Sequence, residues 1–393
     1  MRAARSSQHR PSAPGARSGR AAGPVLPRLV FGAALAATAV ACGRSREPVR
    51  IGVELEPSFA APAAMAAAEI NRAGGVRGRR LELVRDELPP GAPDEPAYHL
   101  LRALSVLRVP LVAVIGHGGS RSSLAAAPAY NHASVLQIVP TGTSRLLARA
   151  GPWTLALPPN DSVEGSFIAA FVRGRLRARS VVTFFVNSEY GVGLRDGVRA
   201  ALAGSGIRQL REVRYDSRAD LPTLVDAALL RGTPDVAIVA GYTQDAGAIA
   251  RHLRRRGSRA AVVVGDGAHV LPDLVIAAGE AAQGIFVVTF WLPSSTDSAA
   301  RRLEMAVRAQ FGREPAARDA MVYDAVRLLA TAIEAVGDDS RRVRGYLLSL
   351  GVDRPRYRGV TGEIGFGAGA GPPRFVMGVV RDSLIVPAEV GTR

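Results

Sequence analysis

The sequence predicts an α/β protein of two lobes, each built on a parallel sheet. Three observations carry this. The chain has 393 residues, more than one compact core supports. Its residues are 48% hydrophobic but only 5% aromatic, with Ala, Val, Leu and Gly dominant, a balance that suits helices packed on buried strands and excludes a largely disordered chain. Apolar runs and helical segments alternate in units of about thirty residues, the rhythm of strand–helix–strand crossovers.

Val49–Val53 reads as the first strand and Ala60–Ala73 as a helix stopped by Gly74 and Gly75. Arg80–Val84 is the next strand, Tyr98–Leu107 a helix, and Leu111–Ile115 a buried apolar run. Gly116–Ser123 is a loop feeding a helix through Tyr130, and Leu136–Val139 is a further strand. The rhythm restarts after Asn160. Asp161 is expected to cap a helix through Leu176, followed by a strand at Ser180–Val186 and a helix from about Leu194 to Gly204. Glu212–Tyr215, Val236–Ala240 and Ala261–Val264 read as strands, and Leu221–Arg231 and Ala246–Arg256 as helices.

Beyond Trp291 come helices at Ala299–Phe311, Ala320–Val336 and Arg341–Leu350, then strand-like Phe375–Val380 and Leu384–Val386. Helices without strands cannot make a third α/β domain, so they must dock on an existing lobe. The chain is then expected to cross between lobes near 158–163, 288–293 and 358–364. Residues 49–160 with 291–358 form one lobe, and 161–290 with 359–393 the other. Several parallel crossings make a hinge, because they bend together without unfolding either lobe.

The formal net charge is +16, and all 50 basic residues are Arg. Residues 1–41 hold six of them and no Asp or Glu, which leaves 44 basic against 34 acidic residues dispersed through the remainder. The densest run, Arg254–Arg256, ends an amphipathic helix, where cations are favoured by the helix dipole. A nucleic-acid partner is therefore not expected.

The Arg-bearing leader runs to Arg28 and is followed by thirteen small or apolar residues, Leu29–Ala41, and then Cys42. That stretch is too short for a bilayer core, which takes roughly 20 residues, and has the length of a signal-peptide apolar region. Ala39–Cys42 resembles a bacterial lipobox, so residues 1–41 are expected to be a signal peptide, Cys42 the lipidated residue and 42–48 a tether. A single cysteine excludes an internal disulfide and any multi-cysteine metal site. The six His are scattered without ligand spacing, no Gly-x-Ser-x-Gly elbow appears, and Gly191-Val-Gly193 is only a fragment of a dinucleotide fingerprint. Neither catalysis nor a metal or organic cofactor is expected.

Five phrases fall in an order that carries a family: "AEINRAGGVRGRRLELV" (68–84), "AVIGHGGSRSSLAAAPAY" (113–130), "IVPTGTSRLL" (138–147), "EYGVGLRDGV" (189–198) and "TGEIGF" (361–366). Together they resemble the type I periplasmic binding proteins of the leucine/isoleucine/valine-binding class, over essentially all of 49–390. The resemblance implies two Rossmann-like lobes with parallel sheets, a three-crossing hinge, and delivery of a solute to the membrane permease of an ABC importer. The same lobes also occur in ligand-sensing receptors and amide-binding regulators, which is the alternative function.

A free amino acid presents a carboxylate and an ammonium, which require converging donors and an acidic or carbonyl group respectively. Ser120 stands where a strand turns into a helix, and its hydroxyl and nearby N–H groups suit a carboxylate. The resemblance assigns Thr143, by hydroxyl and N–H, to the same carboxylate and the Thr141 carbonyl to the ammonium. From the second lobe it assigns Tyr190 to pack on the ligand and Asp266 to pair its ammonium. Tyr242, after another strand, is the next candidate for the lid. His117, a lone histidine beside the carboxylate loop, is given a structural place and not a place in the site. The loop Glu54–Ala64 departs from the family's glycine-rich form and leaves the side-chain preference of the ligand open.

Overall fold

The computed structural model describes residues 47–86, 95–268, 271–293, 298–366 and 375–388; the leader and Cys42 lie outside them. The first half lays down β1 (Val49–Glu54), α1 (Pro57–Arg72), β2 (Leu81–Val84), α2 (Pro96–Val106), β3 (Ala113–Gly116), α3 (Ser120–Ala133), β4 (Leu136–Val139) and β5 (Thr154–Ala156). Among the described residues these strands form one five-stranded sheet in the order β2-β1-β3-β4-β5, parallel throughout. The two faces follow from the strands' composition. Val49, Ile51 and Val53 of β1 alternate onto one face with Ala113 and Ile115 of β3, while Val114 points to the other face against α2 and α3.

The second half contributes α4 (Asp161–Gly174), β6 (Ser180–Val186), α5 (Glu189–Leu202), β7 (Arg208–Tyr215), α6 (Leu221–Leu229), β8 (Val236–Ala240), α7 (Thr243–Arg255), β9 (Ala261–Val264), α8 (Asp273–Ala278) and β10 (Phe286–Thr289). Then come α9 (Ser298–Phe311), α10 (Ala317–Val336), α11 (Ser340–Ser349), the hairpin β11 (Tyr357–Gly359) and β12 (Gly362–Ile364), β13 (Val376–Arg381) and β14 (Leu384–Pro387). The second sheet runs β14-β13-β10-β9-β8-β6-β7, with β13 and β14 antiparallel at one edge. One face packs Val182, Phe184, Val239 and Val264 beneath α6–α8. The other packs Val181, Phe185 and Ile238 beneath α4 and α5.

The C-terminal helices return to the first sheet, where α10 packs on α1 and β3 and α11 beside β4. The chain thus passes between the sheets after β5, after β10 and after β12. Asp324 of α10 clamps the last passage, accepting from the N–H of Val360 (2.9 Å), the N–H of Thr361 (2.8 Å) and the Thr361 hydroxyl (2.6 Å).

Several local readings shift. Asn160, not Asp161, caps α4: its side-chain oxygen accepts from the N–H groups of Ser162 (3.0 Å) and Val163 (3.3 Å), and Asp161 is the fully buried first helical residue. Helix α3 begins earlier than the loop reading allowed, at Ser120. The strands β5, β10, β11 and β12 and the six-residue α8 have no counterpart in the sequence reading. The three-residue strands and the six-residue helix carry less than two periods of their hydrophobic patterns. Among the described residues no helix is long and apolar enough to cross a membrane.

Candidate functional site

In open parallel sheets the crevice beyond the carboxyl ends of the strands is free of crossover helices. Here the carboxyl ends of β1, β3 and β4 face those of β6, β8 and β9 across a cavity of about 380 Å³. All six expected residues, Ser120, Thr141, Thr143, Tyr190, Tyr242 and Asp266, line it.

On the first wall Ser120 is buried at the start of α3, and its Oγ accepts the N–H groups of Thr143 (3.2 Å) and Ser144 (3.1 Å). This differs from the expected arrangement, in which the Thr143 N–H faces the ligand. The Ser120 hydroxyl consumes that N–H and keeps its own O–H to donate. Thr143 is also tied to the first passage between the sheets, its carbonyl accepting the Asp161 N–H at 2.8 Å. The Thr141 hydroxyl donates to the Gly118 carbonyl (2.8 Å), locking the loops after β3 and β4 together. The N-terminus of α3 opens onto this corner, where its dipole favours an anion.

On the second wall Tyr190 is buried at the start of α5 while Tyr242 is 44% exposed at the mouth, their rings 5.8 Å apart and tilted by 31°. The Tyr190 hydroxyl accepts the Gly267 N–H at 2.9 Å and hydrogen-bonds the Asp266 carboxylate. Asp266 is buried, and its N–H donates to Glu164 Oε1 at 2.8 Å. Burial raises the Asp266 carboxyl to about 6, held back from a larger rise by hydrogen bonds from Glu164 and Tyr190. Glu164 is pushed well up by burial and by the Asp266 charge, so it stays protonated and Asp266 carries the negative charge. Asp161 is raised to about 8, first by burial, against a favourable contact with Thr143, with the Asp266 charge adding to the rise.

The wall also contains residues that the sequence reading did not place. His117, set aside there as structural, lines the cavity. Its Nδ1 lies 3.2 Å from His99 Nδ1 and its Nε2 3.1 Å from the Tyr130 hydroxyl. Burial drives its basicity well down, with His99 and Arg102 adding, so the ring is neutral. Behind it Arg102 Nε reaches Glu54 Oε2 (3.0 Å) and Asp86 Oδ2 (2.5 Å), and the Asp86 N–H donates to Glu54 Oε1 (3.0 Å). One guanidinium serves two carboxyls, and burial together with the Asp86 contact raises Glu54 to about 8. Arg318 of α10 and Phe59 of α1 complete this end. No spacing in the sequence brings 54, 86, 102, 117 and 318 together; only the packing of β1, β3 and three helices does. Across the mouth, Arg121 of α3 binds Glu189 of α5 (2.8 Å) and the Asn187 carbonyl (3.1 Å).

A model of the periplasmic binding protein family matches residues 52–381. The chain belongs to the periplasmic binding protein family. This periplasmic binding protein is 27% identical over 281 residues to the amino acid binding protein of Pseudomonas aeruginosa, covering 70% of this chain and 73% of that one. It is 26% identical over 298 residues to the Leu/Ile/Val-binding protein of Escherichia coli, covering 74% and 78%. Its fold superposes with a TM-score of 0.71 on the ABC transporter substrate-binding protein of Desulfitobacterium hafniense in complex with Leu, at 25% identity and over 87% and all of the two chains. The fold is that of the type I periplasmic binding proteins, and the family is one of solute-binding proteins.

Proposed function

We propose that this periplasmic binding protein is the exported, lipid-anchored receptor of an ABC importer, binding a small amino-acid-like ligand by closure of its two lobes. One observation carries the ligand reading: the Ser120 hydroxyl at a helix N-terminus on one wall faces a buried carboxylate on the other. A zwitterionic amino acid supplies both complements. The α-carboxylate is assigned to the Ser120 hydroxyl and the amino end of α3, with Thr141 and Thr143 shaping that corner. The ammonium is assigned to Asp266, and Tyr190 and Tyr242 form the lid. The branched-chain amino acids named for the E. coli relative, and the Leu bound to the D. hafniense protein, are the first ligands to try.

Lobes 49–160 with 291–358 and 161–290 with 359–393 turn about the three passages between the sheets, so ligand affinity drives closure. Cys42, after a signal peptide spanning residues 1–41, supplies the lipid anchor that keeps the receptor at the outer face of the membrane beside its permease. No group of the site is assigned a catalytic step.

Replacing Asp266 with Ala should weaken an amino acid at least tenfold while changing its deaminated analogue little, as read by calorimetry. Equal losses for both ligands remove the ammonium assignment. Cys42→Ser should release the protein from the membrane fraction, and retention there contradicts the anchor.

A further inference from the structure

The cavity has a second end, over β1, and its chemistry is unlike the first. In the sheet order β1-β3-β4, the loops after β4 and β1 stand two strand spacings apart, roughly 10 Å. A ligand whose main-chain groups occupy the β3–β4 corner therefore extends its side chain toward Leu55, Phe59 and Arg318.

Arg318 is the exceptional group there. It sits in the first turn of α10, its guanidinium carbon 5.4 Å from the centre of the Phe59 ring. Its Nε is buried without a hydrogen-bond partner, and among the described residues no carboxylate lies within ion-pair reach of it. Asp319 and Asp273 act on it only through their charge, without contact; the Asp319 oxygens take both ends of Arg313 (2.6 and 2.8 Å) and the Ala316 N–H (2.7 Å). Arg102, the other cation of this wall, is already bound by Glu54 and Asp86. Of the acids on this wall, Glu54 is held protonated, and Glu56 is exposed and outside contact with Arg318. Burial draws Arg318 below its ordinary basicity, yet a guanidinium stays charged under any ordinary condition.

A face contact with Phe59 offsets part of the desolvation but leaves the N–H edge of the guanidinium unserved. A half-buried cation that no carboxylate contacts is under-compensated in the empty protein, and a ligand that brings an acceptor compensates it. A leucine side chain brings none and would seal the guanidinium in without a partner.

We infer that the side-chain end of this site takes an anionic group, so that the ligand is a dicarboxylic amino acid, or a close analogue with a second carboxylate, held at that end by Arg318. This rests on the amino-acid reading of the opposite end. The charges then balance in pairs: ligand ammonium with Asp266, α-carboxylate with Ser120 and the α3 terminus, distal carboxylate with Arg318.

Calorimetry with L-aspartate, L-glutamate, L-2-aminoadipate, L-leucine and L-isoleucine separates the possibilities. At least one dicarboxylic amino acid should bind tenfold or more tightly than either aliphatic one. Arg318→Gln should weaken that ligand tenfold or more while changing leucine less than threefold. Arg318→Met should raise the melting temperature of the ligand-free protein, since it removes a half-buried charge that no carboxylate contacts. An aliphatic amino acid that binds tighter than every dicarboxylic one overturns the inference and leaves the amino-acid reading standing. Silence toward all five overturns both. The ligand ranking needs no variant, so a misfolded Arg318 substitution does not blunt the test.

Discussion

Asp266 shows how burial sets the working range of a single carboxyl. Its pKa of about 6 means that the charge needed by a ligand ammonium is present at neutral pH and lost below it. Affinity for an amino acid should fall below pH 6 by about tenfold per unit, while a ligand without an ammonium shows no such loss. The stability of the empty protein follows a different sign. Glu54 and Asp161 are both raised to about 8, so the folded chain holds protons that the unfolded chain, with ordinary carboxyls, has released. Their contribution is fully present below the ordinary carboxyl range and is lost as pH rises through about 8. His117, held neutral, acts in the opposite sense only below its ordinary value of 6.5. The ligand-free melting temperature should therefore drop between pH 6.5 and pH 9, and a rise over that interval would contradict the protonated state of these two acids.

At the scale of elements, the site depends on how closely α4 approaches α5. A Cβ at Gly165 of α4 would lie 2.3 Å from the Gly197 carbonyl carbon of α5, and one at Gly197 would lie 2.4 Å from the Asp161 carbonyl oxygen. The two helices touch backbone to backbone, which sets Asp161 and Glu164 beside Tyr190. Gly165→Ala should force them apart and destabilise the fold by about 1–3 kcal/mol, seen as a lower denaturant midpoint with an unchanged slope. It should also weaken ligand binding, because Tyr190 rides on the displaced helix. Unchanged midpoint and affinity together would show that the pair can relax without consequence. Long periodic elements such as α10 and the apolar strands β6 and β8 were legible in the sequence to within a few residues. The three-residue strands were not, since their place is dictated by the neighbours they pair with.

At the scale of the molecule, two sheets joined by three passages place the cavity between them. The Arg121–Glu189 pair bridges the mouth with both side chains about one-third exposed, 38% and 34%. An exposed pair is worth about 0.2–1 kcal/mol, so Arg121→Ala should loosen ligand binding by roughly 1.4- to fivefold through a shift toward the open form. The loss should shrink in high salt. If Arg121→Ala, Glu189→Ala and the double variant all bind like the parent protein, the pair does not contribute to closure.

The sequence by itself determined the two-lobed α/β plan, because hydrophobic periodicity and glycine stops are local signals that repeat along the chain. It also singled out Ser120, Thr141, Thr143, Tyr190, Tyr242 and Asp266, each of which follows a readable strand, and the structure gathers all six around one cavity. Only the tertiary structure decided the rest of that cavity. Glu54, Arg102, His117 and Arg318, which line it, and Glu164 against the Asp266 N–H stand far apart in the chain, and no local pattern groups them. Their burial, and with it their protonation and their need for partners, exists only once β1, β3, α2, α4 and α10 have packed. Desolvation is a property of the assembled interior, and it is what turns an arginine at the start of a helix into a group that asks for an anion.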